Sequence, residues 1–89
     1  MPRVSFTPTL RRHLDVPART VTAATVGAAL DAICTDHPTL RGYLLDDQGR
    51  LRHHVAVFVD DVQLRGGSAL THPLEETSEV VIMQALSGG

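Results

Sequence analysis

The chain has 89 residues, 43% of them hydrophobic and 20% charged, with a net charge of −2. That length allows one domain with a modest core, and the composition is that of a soluble globule and not of a disordered segment. All eight positive charges are arginine and form no basic run, and only three residues are aromatic, which excludes the electrostatic footprint and the stacking surface of a nucleic-acid binder.

One cysteine, Cys34, rules out an intramolecular disulfide and suits a reducing compartment. The N-terminal stretch from Met1 to Leu10 has no apolar leader pattern, and no apolar run approaches the length of a membrane span. The expected location is therefore the cytoplasm, with no membrane contact. There is no internal repeat and no low-complexity segment.

Arg3–Thr7 alternates, with Val4 and Phe6 inward, as a half-buried strand does. Pro8 weakens its continuation, and Leu10 to Pro17 reads as a polar connection. Arg19–Thr22 is β-prone with Val21 inward, so the first third predicts a β-hairpin with a loose turn. At Thr25 the period changes. Thr25 is a good N-cap, and Val26, Ala29, Leu30, Ile33 and Cys34 fall on one face at helical spacing. His37-Pro38 closes this helix, because a residue before proline avoids the α region. Gly27 costs helix propensity and predicts close packing on the sheet. Cys34 sits on the apolar stripe and reads as a buried structural thiol, with a reactive thiol as the alternative.

Thr39–Leu45 is short and mixed, with Leu40 and Leu44 toward the core and Tyr43 partly exposed. Asp46-Asp47-Gln48-Gly49 is a turn by composition. Leu51–Asp60 is a second strand signal: Val55, Val57 and Val59 share one face, and His54, Ala56 and Phe58 share the other. Asp60-Asp61 predicts a tight reversal into Val62–Leu64. Gly66-Gly67 lacks the lysine and hydroxyl residue of a phosphate-binding loop and reads as a turn without a helix after it. Thr71–Glu76 is irregular, anchored by Leu70 and Leu74, and Val80–Met83 is the last strand.

The fold class expected is α+β, a mixed sheet of four to five strands with one main helix packed on one face. One helix covers one face only, so Ala56, Phe58, Val81 and Met83 are expected to form an apolar patch on the open face, a surface for a partner. After the last strand the chain closes on Leu86-Ser87-Gly88-Gly89. Two residues without a Cβ accept almost any backbone angle and pass through narrow channels. Four extended residues reach roughly 13 Å, and a terminal carboxyl is ionised at neutral pH and able to attack an activated phosphate. The expected division is a domain over 1–85 and a flexible tail over 86–89. The plainer reading is that termini are often small, polar and disordered.

Other chemistry is weakly supported. His13, His37, His53, His54 and His72 suggest a metal site only by number, and adjacent His53 and His54 would point to opposite faces of a strand. Asp46-Asp47, Asp60-Asp61 and Glu75-Glu76 read as solvated turns and not as catalytic carboxylate pairs. No spacing argues for a nucleophile with its base. The expectation is no bound metal and no catalytic residue of the chain's own.

The alternating N-terminal strand, Thr25-Val26 with Ala29-Leu30, the His37-Pro38 helix end, the Leu51–Asp61 strand and the run from Val80 to Gly89 together resemble the MoaD/ThiS family of ubiquitin-like β-grasp sulfur carriers. The branch that serves cysteine synthesis in actinobacteria is the most similar. The terminal Gly88-Gly89 after a hydrophobic strand is the specific part. The chain departs from the family pattern at Leu86-Ser87 and in a shortened Arg65–Leu70 segment, which leaves the pathway open.

The resemblance implies a mechanism. An E1-like adenylyltransferase of the MoeB/ThiF type uses ATP and Mg²⁺ to turn the Gly89 carboxylate into an acyl-adenylate. A sulfur donor then displaces AMP, and the thiocarboxylate passes sulfur to an acceptor synthase. Leu86, Ser87 and Gly88 thread the partner's channel, and Phe58, Val81, Met83 and Ala56 form the docking face. The free carrier is expected to be a monomer without cofactor, and no trimming is expected before Gly89 is used. Alternatives are the small subunit of molybdopterin synthase, a ubiquitin-like modifier joined through Gly89 to lysines elsewhere, and a β-grasp interaction module with an inert tail. The chain has no lysine of its own to accept an isopeptide bond.

Overall fold

The structure, a computed structural model, describes residues 1–7, 17–52, 54–64 and 67–84. Strand β1 spans Arg3–Phe6 and β2 spans Arg19–Thr20. Helix α1 spans Val26–Asp36 and α2 spans Pro38–Leu44. Strands β3 (Val55–Val59) and β4 (Val62–Leu64) follow, then a 3-10 helix over Gly67–Thr71 and strand β5 over Glu79–Gln84.

The five strands form one mixed sheet in the order β2-β1-β5-β3-β4. β1 runs parallel to β5, with Val4 beside Val80 and Phe6 beside Ile82, and the other neighbours are antiparallel. The last strand is thus central. It is hydrogen-bonded on both sides, and its pairing with β3 extends to Gln84 opposite Val55. Two ladders hold the chain as far as Ile82, and the β3 ladder alone carries it on to Gln84.

The core is built as the two periodicities require. Val26, Ala29, Leu30, Ile33 and Cys34 of α1 pack with Val55, Val57 and Val59 of β3, with Val80 and Ile82 of β5, and with Val4 and Phe6 of β1. The Thr25 side chain accepts a hydrogen bond from the Ala28 N–H at 3.2 Å, which satisfies one orphan donor at the helix start. Val21 is buried just past β2, as its inward position predicts.

The structure departs from the sequence expectation in four places. His37 does end α1, yet Pro38 opens α2 at once, because proline at the first helical position loses no hydrogen bond there. Leu40 and Leu44, four residues apart, enter the same core as α1 and hold this second helix in place. Gly27 does mark a close approach, but to the 3-10 helix instead of the sheet. A Cβ there would lie 3.0 Å from the Leu70 carbonyl oxygen. The segment after the second glycine of the pair is helical, with Ala69 buried and Leu70 packed against the core. The strand expected from Leu51 begins only at Val55, while Leu51 bridges to Leu45. That bridge closes a turn in which Asp46 Oδ1 accepts from the Gln48 and Arg50 N–H groups, both at 2.9 Å. Gly49 there has φ of 78°, a conformation that favours glycine. The polar connection expected over Leu10–Pro17 and the tail over 86–89 lie outside the described residues, apart from Pro17.

Candidate functional site

Two elements of the chain are candidates for function: the sheet face opposite the helices and the terminal residues. Leu86, Ser87, Gly88 and Gly89, expected to carry the chemistry, lie outside the described residues. What the structure places is the platform beneath them.

On the open face, antiparallel pairing sets Phe58 directly opposite Val81 and Ala56 opposite Met83. Phe58, Val81 and Met83 are half-buried, and together they line a hollow of about 460 Å³. The expected apolar patch is therefore assembled from three of its four residues. Ala56 is the correction. It lies outside the core cluster on the open side, yet it is only 6% exposed. A single methyl group beside the long Met83 side chain offers no surface of its own.

Sequence reasoning missed the other half of the lining. Asp60, Asp61 and Glu79 border the same hollow. Period-2 alternation already put Glu79 on the face of Val81 and Met83. The placement of Asp60 and Asp61 required the register. Both have positive φ, 49° and 72°, as a two-residue hairpin turn of the primed type demands. The Asp60 N–H donates to the Glu79 carbonyl at 3.0 Å, and Asp60 Oδ1 accepts from the Glu79 N–H at 2.9 Å. This reciprocal pair fixes the turn against the first residue of β5.

The remaining groups read as structural. Cys34 is 1% exposed, and burial pushes its thiol pKa up, against a smaller opposing effect of Arg41. A thiol so placed is neither ionised nor accessible at neutral pH. Asp36 is held below the usual carboxylate range by the hydrogen bond that Arg19 donates to it, and Asp46 by its backbone hydrogen bonds, that from Arg50 first. Asp36 is exposed and Asp46 is half-buried at the surface. Among the described residues no three histidine, cysteine or acidic side chains are grouped to hold a metal ion, and no helix is long and apolar enough to cross a membrane. Tyr43 is half-buried, with its ring edge-on to His54 at 5.2 Å between centroids.

Comparison with known proteins agrees with this geometry. The model of the ThiS family matches residues 12–89. Among curated proteins, no significant match is found. Among solved structures, SAMP1 from Haloferax volcanii is 25% identical with a TM-score of 0.81, over 99% of this chain and 98% of that one. A chain of the Amycolatopsis orientalis BexX/CysO complex is 23% identical with a TM-score of 0.82, over 100% of both. CysO of Mycobacterium tuberculosis is 22% identical with a TM-score of 0.80, over 97% of this chain and 100% of that one. The last two likenesses speak for the fold alone. With its central parallel pair of first and last strands, its helices on one face and a family match running to residue 89, the chain belongs to the ThiS family of ubiquitin-like β-grasp sulfur carriers.

Proposed function

We propose that this protein carries sulfur as a thiocarboxylate on Gly89. The observation that supports this most is the family match through the terminal Gly88-Gly89, a few residues beyond a strand paired with β1 as far as Ile82 and with β3 as far as Gln84. A carboxylate is a poor electrophile. In the proposed cycle an E1-like adenylyltransferase of the MoeB/ThiF type binds ATP and Mg²⁺. The Gly89 carboxylate oxygen attacks the α-phosphorus, the bond to pyrophosphate breaks, and an acyl-adenylate forms. Sulfide from a donor then adds to the acyl carbon and expels AMP, leaving a thiocarboxylate for an acceptor synthase. Stabilisation of the charge that develops on phosphate belongs to the activating enzyme. The carrier contributes an unhindered acyl group, a tail over 86–89 that threads a channel beyond the body over 1–85, and a docking face of Phe58, Val81 and Met83.

The test is an intact-mass measurement after incubation with a ThiF-type adenylyltransferase, ATP, Mg²⁺ and sulfide. The expected result is replacement of one oxygen by sulfur, mapped to the C-terminal peptide. Deleting Gly89 is expected to abolish that shift and leave the thermal midpoint unchanged. A full-length protein that stays unmodified with every such activator, or a deletion that unfolds the chain, overturns the proposal.

The 25% identity to SAMP1, an archaeal modifier protein, favours a second reading in which Gly89 is joined to lysine amines of other proteins. Higher-mass covalent adducts in cells, lost on deletion of Gly89, would distinguish it. Because this chain has no lysine, such adducts would contain no chain of copies linked through its own side-chain amines.

A further inference from the structure

The hollow on the open face is chemically divided along its length. Phe58, Val81 and Met83 line it as apolar surface, and Asp60, Asp61 and Glu79 line it as carboxylates. The carboxylates gather at one end, where the β3–β4 turn is hydrogen-bonded to the start of β5. Met83 lies four residues further along β5, roughly 13 Å away at strand rise, next to the point where the chain continues past Gln84. Among the described residues, the ion pairs engage Asp31, Asp36 and Asp46, and none engages these three acids. No described arginine lines the hollow.

Three negative charges at one rim repel one another and are relieved by a cation set among them. An arginine or lysine side chain satisfies both halves of the lining. Its aliphatic stem lies along Phe58 and Val81 while its head meets the carboxylates. We propose that this hollow receives a basic side chain of the adenylating partner, and that the contact sets the partner's direction along β5, with its catalytic pocket at the Gln84 end. The inference rests on the carrier reading above and adds to it the charge and the polarity of the docked surface. Apolar contact alone would let a partner slide or reverse along the strand, whereas a charged contact at one end only fixes the orientation.

The test measures binding of a ThiF-type adenylyltransferase to the wild-type protein and to the triple variant Asp60→Asn, Asp61→Asn, Glu79→Gln, from about 0.05 to about 0.5 M salt. Asparagine tolerates positive φ and keeps an oxygen for the Glu79 N–H, so the turn is retained. If the triple variant does not fold, the pair Asp61→Asn and Glu79→Gln, which leaves the Asp60 contact intact, serves instead. Wild-type binding is expected to weaken with salt. The variant is expected to bind roughly tenfold more weakly at low salt and with a flatter salt dependence. A folded variant that binds as tightly as wild type with the same salt slope, while both still gain the thiocarboxylate, overturns this inference and leaves the carrier reading standing. A wild-type protein that neither binds nor is charged by any such enzyme overturns the carrier reading, and this inference with it.

Discussion

Alternate residues of β5 meet two different environments. Val80 and Ile82 are fully buried in the core beneath the helices, whereas Val81 and Met83 are half-buried and face the hollow. The four are chemically alike, and all of them lie in the same ladder with β3. What separates them is the period of the strand, which sends neighbours to opposite faces. A family of small carriers has little core to spare, and here one strand serves both tasks: its inner face holds the fold and its outer face is left for a partner. If that partition is right, substitutions one residue apart must have effects of different kinds.

The largest effect is expected on the inner face. Ile82→Ala removes three carbons from a fully buried site and should cost about 2–5 kcal/mol, read as a lower denaturant midpoint at unchanged slope. A loss under about 1 kcal/mol would mean that the core relaxes around the deletion and that the inner face is not the main source of stability. Next comes Gly27→Val. The Leu70 carbonyl oxygen stands 3.0 Å from where a Cβ would sit, and a backbone atom yields less readily than the end of a side chain. The variant should lose about 1–3 kcal/mol by overpacking, although valine is the better helix former. An equal or raised midpoint would show that the 3-10 helix is free to move off α1.

Much of this inner architecture was legible in the sequence. The helical stripe from Val26 to Cys34 and the alternating valines of β3 are local patterns, and every one of those residues is buried. The Thr25 cap and the Asp60-Asp61 reversal are local as well. Less legible were features that depend on distant partners. Pro38 ends one helix and begins the next, and only the burial of Leu40 and Leu44 decides that the second helix forms. Gly27 announced a close approach without naming Leu70, which lies far away in sequence. On the site side, Phe58, Val81 and Met83 follow from alternation, whereas the exposure of Ala56 was misjudged because shielding by neighbours is not a sequence pattern. The acidic end of the hollow depends on the register of β3 against β5, and register is set by the whole sheet.

The outer face gives a smaller effect on stability and a larger one on recognition. Met83→Ser is expected to lower stability by less than about 1 kcal/mol, since a half-buried side chain has less apolar area to lose. The same change should weaken binding of the activating enzyme by about tenfold or more, as loss of an apolar anchor does at the centre of an interface. Thermal melts and a titration on the same preparation separate the two. A Met83→Ser protein that melts as low as Ile82→Ala would erase the contrast between the faces. One that binds as wild type would move the docking surface elsewhere.

The smallest effect comes from acids away from both faces, and it separates surface electrostatics from the contrast in burial. Asp36 and Asp46 have carboxyls lowered in the folded state, Asp36 by the hydrogen bond from Arg19 and Asp46 by backbone hydrogen bonds, that from Arg50 first. As pH falls, the unfolded chain takes up protons at these positions first, near the ordinary aspartate value of about 3.9. The stability they contribute is therefore fully present above that value and is lost as pH falls through the lower folded values. Asp36 is exposed and Asp46 is half-buried at the surface, and solvent screens both, so each adds little. Thermal midpoints should be flat between about pH 5 and 7 on their account and should decline below about pH 4. Asp36→Asn and Asp46→Asn together should flatten that decline without changing the contrast between Ile82 and Met83. An undiminished decline would assign acid sensitivity to carboxylates other than these two.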